Sequence, residues 1–93
     1  MTIQEIKRLI AGSAENEARI RSHAQLCGCY HCLAIFPSSE IDPENGSSVP
    51  GRPGNVLCPF CGIDAVICED DLGGLTPLNT KTLEEIRRVA FEM

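Results

Sequence analysis

The chain has 93 residues, 43% of them hydrophobic but only 4% aromatic, and a formal net charge of −5. That length makes one small domain; its rings, Tyr30, Phe36, Phe60 and Phe91, bury little area, so some covalent or metal staple is expected. No segment approaches the ~20 continuous apolar residues of a membrane span, and the charged start MTIQEIKRLI has no apolar signal core, so a cytoplasmic location is expected, where disulfides are rare.

Residues 1–25 read as an N-terminal amphipathic helix. Thr2 and Glu5 fit a capping box, with Thr2 at the N-cap and Glu5 at N3. Ile3, Ile6, Leu9, Ile10, Ala14, Ile20 and Ala24 share one broad face at helical spacing, interrupted by Ser13 and Glu17. Gly12-Ser13 is a point where this helix would bend or break. The apolar face would pack on the core or form a seam for a second copy.

Residues 26–79 form the expected core. CGCYHC opens it as a turn, followed by a short strand, LAIF. A Pro/Gly-rich loop spans 37–55. VLCPFCGIDAVICEDD then gives a strand, a second turn and an apolar run, and DLGGLTPLN is a connector. Residues 80–93 read as a C-terminal helix with Thr82 at the N-cap and Glu85 at N3, and with Leu83, Ile86, Ala90 and Met93 along one face. The fold class is therefore small α+β: short antiparallel hairpins flanked by two helices.

The chemistry lies in the cysteines. Cys29-x2-Cys32 and Cys58-x2-Cys61 are separated by 25 residues. In a CxxC turn both sulfurs can reach one ion, and the N–H groups after the first Cys point at its sulfur. Gly62 supplies a positive φ after the second Cys without steric cost, and Pro59 fixes the turn. Four thiolates suit structural Zn²⁺, with iron as the alternative metal. A single redox CxxC belongs at a helix start in a βαβ setting, which this chain lacks. Four closed thiolates also leave no open Lewis-acid position, and no nucleophile–base pair stands out, so no catalytic residue is expected.

The other candidates have plainer readings. Cys27 could replace Cys29 as a ligand only with a different loop. His31, between the ligands, is expected to point outward, and His23 to face solvent. Cys68 reads as a small buried hydrophobe; a Cys27–Cys68 disulfide is conceivable but disfavoured in cytosol. Glu69-Asp70-Asp71 lacks the spaced ligands of a calcium loop and reads as a solvated turn.

CYHCLAIFPSSEI and CPFCGIDAVIC resemble a zinc ribbon with rubredoxin-like knuckles, and more narrowly small bacterial and phage-borne proteins with a CPYCGIDSVIG-like motif. The resemblance covers residues 26–72 and implies zinc at Cys29, Cys32, Cys58 and Cys61. It supplies no activity. Cys68, the extra Ser in PSSEI and the Pro/Gly-rich loop depart from that pattern.

Charge distribution weighs the functional readings. Between 26 and 79, Arg52 alone faces Glu40, Asp42, Glu44, Asp64, Glu69, Asp70 and Asp71. Phosphate contacts need Lys and Arg, so a nucleic-acid-binding ribbon is opposed except through the helices. The leading expectation is a non-catalytic, zinc-stabilised protein-interaction module, dimeric through its helices or bound to another protein. The alternative is an acidic inhibitor of phage type that covers the nucleic-acid groove of a host nuclease or defence complex.

Overall fold

The computed structural model describes residues 1–13, 20, 22–41 and 56–91. Helix α1 spans Ile3–Ala11. Its start is the expected capping box: the Glu5 N–H donates to Thr2 Oγ1 at 3.1 Å, and the Thr2 N–H donates to Glu5 Oε1 at 2.7 Å. The end comes earlier than expected. The Gly12 N–H reaches the Arg8 carbonyl at 3.0 Å, and the Ser13 hydroxyl donates to the Ile10 carbonyl at 2.6 Å. A serine that occupies a last-turn carbonyl competes with further helix, so Gly12-Ser13 breaks α1. Ser22–Gln25 is turn and irregular chain with Ala24 exposed, so the helix does not run to residue 25; positions 14–19 and 21 lie outside the described residues.

Three short strands form one antiparallel sheet in the order β2-β1-β3: β1 is Leu26–Cys29, β2 is Ile35–Pro37 and β3 is Val66–Cys68. Cys27 lies opposite Phe36 on one side and opposite Cys68 on the other. The central strand was hidden in the sequence, where CGCYHC reads as turn alone. Residues 56–58, expected as a strand, have no regular structure. The Pro/Gly-rich loop lies outside the described residues over 42–55; its start, Ser38–Glu40, is a single 3₁₀ turn.

The acidic run is helix α2, Glu69–Leu72, rather than a solvated turn. Asp71 accepts from the Cys68 N–H at 3.0 Å, and Gly73 ends the helix at φ +55. Helix α3 spans Thr80–Phe91. It starts two residues before the expected cap: Asn79 Oδ1 accepts the Thr82 N–H at 2.9 Å, while Thr82 is buried and donates to the Pro77 carbonyl at 2.8 Å. Asn is among the best N-caps, and it leaves Thr82 free to satisfy the connector. The expected face holds, with Leu83 and Ile86 fully buried and Val89 and Ala90 half-buried; Met93 lies outside the described residues.

Buried residues lie on both faces of the sheet: Cys27, Cys29, Phe36 and Cys68 on one, and on the other the side of Gly28, where α3 packs with α1 beside it. Strand side chains alternate in direction, so Gly28 faces opposite to Cys27 and Cys29. A methyl at Gly28 would lie 3.0 Å from both Leu83 Cδ atoms and 3.1 Å from Leu78 Cδ1. The glycine lets α3 press directly on β1. Among the described residues no helix is long and apolar enough to cross a membrane.

Candidate metal centre

Two turns of the same design present the cysteines. In the first, the Cys29 N–H donates to the Ala34 carbonyl at 2.9 Å and the Leu33 N–H to the Cys29 carbonyl at 2.8 Å. In the second, the Cys58 N–H donates to the Ile63 carbonyl at 3.0 Å and the Gly62 N–H to the Cys58 carbonyl at 2.9 Å. Each loop closes the same way, so the second cysteine returns beside the first. The first turn joins β1 to β2; the second leads into β3.

The sulfurs receive backbone donors as the spacing predicts. Cys29 Sγ accepts from the His31 and Cys32 N–H groups at 3.4 and 3.5 Å, and Cys58 Sγ accepts from the Phe60 N–H at 3.4 Å. These dipoles offset charge on the inner sulfur of each turn. Gly62 has φ +76, as expected. The equivalent position in the first turn is Leu33, at φ +68, a conformation L side chains adopt only with strain. Aligning CYHCL with CPFCG would have exposed this demand.

The structure brings together all four expected ligands. Their sulfurs lie within 4.8 Å of one another, with Cys29–Cys61 and Cys32–Cys58 both at 3.6 Å. Tetrahedral zinc with Zn–S bonds of about 2.3 Å needs S–S edges of about 3.8 Å, so the cross-turn pairs already match. The first cysteine of each turn is buried and the second is more exposed. Burial raises the pKa of Cys29 and of Cys58. For Cys32 burial opposes the thiolate, but the Ala34 N–H and the neighbouring thiols outweigh it and bring its pKa below the ordinary thiol value. A four-thiolate site with backbone donors and a buried inner side can hold a metal ion.

No His or carboxylate joins this cluster among the described residues. His31 is exposed and stands edge-on to the Phe91 ring, 5.2 Å between centroids. His23 is half-exposed, but not simply solvated: Nε2 lies 3.2 Å from Asp70 Oδ2, and Ser22 Oγ is 3.1 Å from Nδ1. Cys27 and Cys68 are fully buried outside the cluster. Burial pushes Cys27 up to about 12 and Cys68 up to about 11, so both stay protonated at neutral pH. The packing of Gly28 against Leu83 was not legible, because nothing local marks it.

Compared with protein-family models, with curated proteins and with solved structures, the chain matched none.

Proposed function

We propose that the four cysteines hold one structural Zn²⁺ and that the folded chain is a non-catalytic protein-interaction module. The observation that carries the metal half is the sulfur tetrad, gathered from two turns and closed to further ligands. Such an ion is worth roughly 10–16 kcal/mol of binding that doubles as folding energy, comparable to the ~5–15 kcal/mol stability of a whole domain. Strands of three and four residues need that help.

The interaction half draws support from the surface. Phe60, at the tip of the second turn, is 65% exposed, and Ile63 beside it is also exposed. The described residues from 22 to 41 and 56 to 79 include Glu40, Asp64, Glu69, Asp70 and Asp71 but no Lys or Arg. Zn²⁺ with four thiolates adds about −2. This surface favours a positively charged protein partner over nucleic acid, and an inhibitor that covers a basic groove would use the same charge. A homodimer through the helices must use what α1 and α3 leave exposed, chiefly Ile3 and Phe91.

The test is elemental analysis and native mass on protein purified without added metal, followed by chelation monitored by circular dichroism. One zinc per chain and unfolding on chelation are expected. A chelated protein, or a Cys58→Ser variant, with its full native spectrum and heat resistance would refute the structural role. Salt-sensitive binding to labelled nucleic acid would overturn the preference for protein.

A further inference from the structure

The two cysteines outside the metal cluster face each other across the sheet. Cys27 and Cys68 are direct partners in the antiparallel β1–β3 pair. Two residues beyond the Gly28–Ile67 pair in this register, the Tyr30 N–H donates to the Ala65 carbonyl at 2.9 Å. Antiparallel pairs alternate, so 30/65 and 28/67 are hydrogen-bonded pairs, while 29/66 and 27/68 are non-hydrogen-bonded pairs. In the latter class Cα atoms stand about 4.5 Å apart with side chains on the same face, within the range of about 4.4–6.8 Å that a disulfide spans. Cys29, two residues along β1, belongs to the tetrad instead, so the sheet sorts neighbouring thiols into two separate sets.

We propose that Cys27 and Cys68 are a disulfide-forming pair, oxidised by a small-molecule disulfide such as glutathione disulfide without loss of the metal ligands. One protein thiolate attacks the reagent, forming a mixed disulfide and releasing one glutathione thiolate. The second protein sulfur attacks the mixed disulfide, forming the Cys27–Cys68 bond and releasing the second glutathione. Two electrons pass from the protein sulfurs to the reagent, and the two thiol protons end on the two glutathiones. Both thiols are fully buried, so attack requires β3, an edge strand of three residues, to lift from β1. The Cys68 thiol, 3.4 Å from Asp71 Oδ2, turns from that carboxylate toward Cys27 when the bond forms. Bound metal holds the other four sulfurs out of the exchange.

The test treats native, metal-loaded protein with glutathione disulfide, then alkylates it under denaturing conditions. Cleavage before aspartate separates Cys68, in peptide 64–69, from Cys58 and Cys61, in peptide 42–63. The expected result is a fall from six alkylatable thiols to four, peptide 64–69 joined to peptide 1–41 through Cys27, and unchanged metal content. Cys27→Ala and Cys68→Ala should each abolish the cross-link. Metal release with bonds among Cys29, Cys32, Cys58 and Cys61, or six thiols surviving conditions that oxidise urea-unfolded protein, would overturn the proposal. Peptide 1–41 also carries Cys29 and Cys32, so fragmentation of the wild-type cross-linked peptide must place the bond on Cys27 with Cys29 and Cys32 alkylated, and that reading decides the matter even where a variant folds poorly. A protein that binds no metal would fail the zinc reading at the first metal measurement, while the 27–68 linkage is still read directly.

Discussion

Gly28→Ala tests how tightly β1 and α3 are packed. A methyl there would meet both Leu83 Cδ atoms at 3.0 Å and Leu78 Cδ1 at 3.1 Å, and Leu83 is fully buried. Forcing a methyl into a packed interface costs about 1–3 kcal/mol, while removing glycine from a strand returns about 0.5–1 kcal/mol. The expected net loss is centred on about 1 kcal/mol, a fall in Tm of roughly 4–8 °C at this size. Leu83→Ala alone should cost about 2–5 kcal/mol through its cavity. In the double variant the added methyl occupies space that Leu83 vacated, leaving only Leu78 to give way. The double should therefore lose less than the two singles together, with coupling on the order of 1 kcal/mol. Urea unfolding of all four proteins, with metal content checked in each, completes the cycle. Additive losses, or a more stable Gly28→Ala, would refute close packing as the reason for the glycine.

The two turns give a matched pair of expectations. Gly62→Ala adds a methyl that meets nothing within 4 Å, so its cost is the left-handed backbone alone, about 1–2 kcal/mol by chemical unfolding. Leu33→Gly relieves the same strain but removes half-buried packing and adds unfolded-state freedom, so it should fall within about 1 kcal/mol of wild type. Ser13→Ala strips a buried partner from Tyr30, whose hydroxyl lies 2.9 Å away, and should cost about 1–3 kcal/mol; an unchanged Tm would sink that reading. Glu5 is held below the ordinary glutamate pKa, chiefly by the Thr2 N–H. Its stabilisation is therefore present above about pH 4.3 and lost as pH falls through the lower folded value. Glu5→Gln, which keeps an acceptor for the Thr2 N–H but has no carboxyl to titrate, should flatten that part of the acid-unfolding profile, and an identical profile would count against it.

The cysteine tetrad was legible because its rule is local. A CxxC turn needs only its own four residues and the one that follows, and Gly62 met the positive-φ requirement directly. The Thr2–Glu5 cap was legible for the same reason. The start of α3 was not, since Asn79 and Thr82 both carry N-cap chemistry. Burial of Thr82 against Pro77 and Thr76 chose between them, and that is tertiary information. Strand β1 was hidden for a related reason. Leu26–Cys29 shows no polar–apolar alternation, because Cys27, Gly28 and Cys29 are all buried, and the partner that demands Gly28 lies 55 residues away at Leu83. Beyond Gly12-Ser13, the helix expected through residue 25 rested on apolar spacing alone. A serine hydroxyl that takes the Ile10 carbonyl stopped it at Ala11.

The acidic run gains a structural meaning once the sheet is known. The β1–β3 pair is only three residues deep, too short to hold by its own ladder. At one end Cys29 enters the sulfur tetrad, which ties β1 to the turn that feeds β3. At the other end α2 acts as a clasp. Glu69 Oε1 accepts the Leu26 N–H at 2.8 Å, Gln25 Oε1 accepts the Asp70 N–H at 3.3 Å, and Asp70 faces His23. Three acids in a row are costly to bring together in a fold already negative, unless each has a donor to meet. Here Glu69 and Asp71 accept backbone N–H groups, and Asp70 lies against an imidazole that is a cation when protonated. The two ends differ in kind. With the proposed ion in the tetrad, its loss would remove one anchor outright, while the clasp consists of exposed and half-exposed hydrogen bonds, each worth about 0.5–1.5 kcal/mol, that cannot replace it. That inequality is the physical reason for expecting the sheet, and with it the display of Phe60 and the α1–α3 face, to follow the metal.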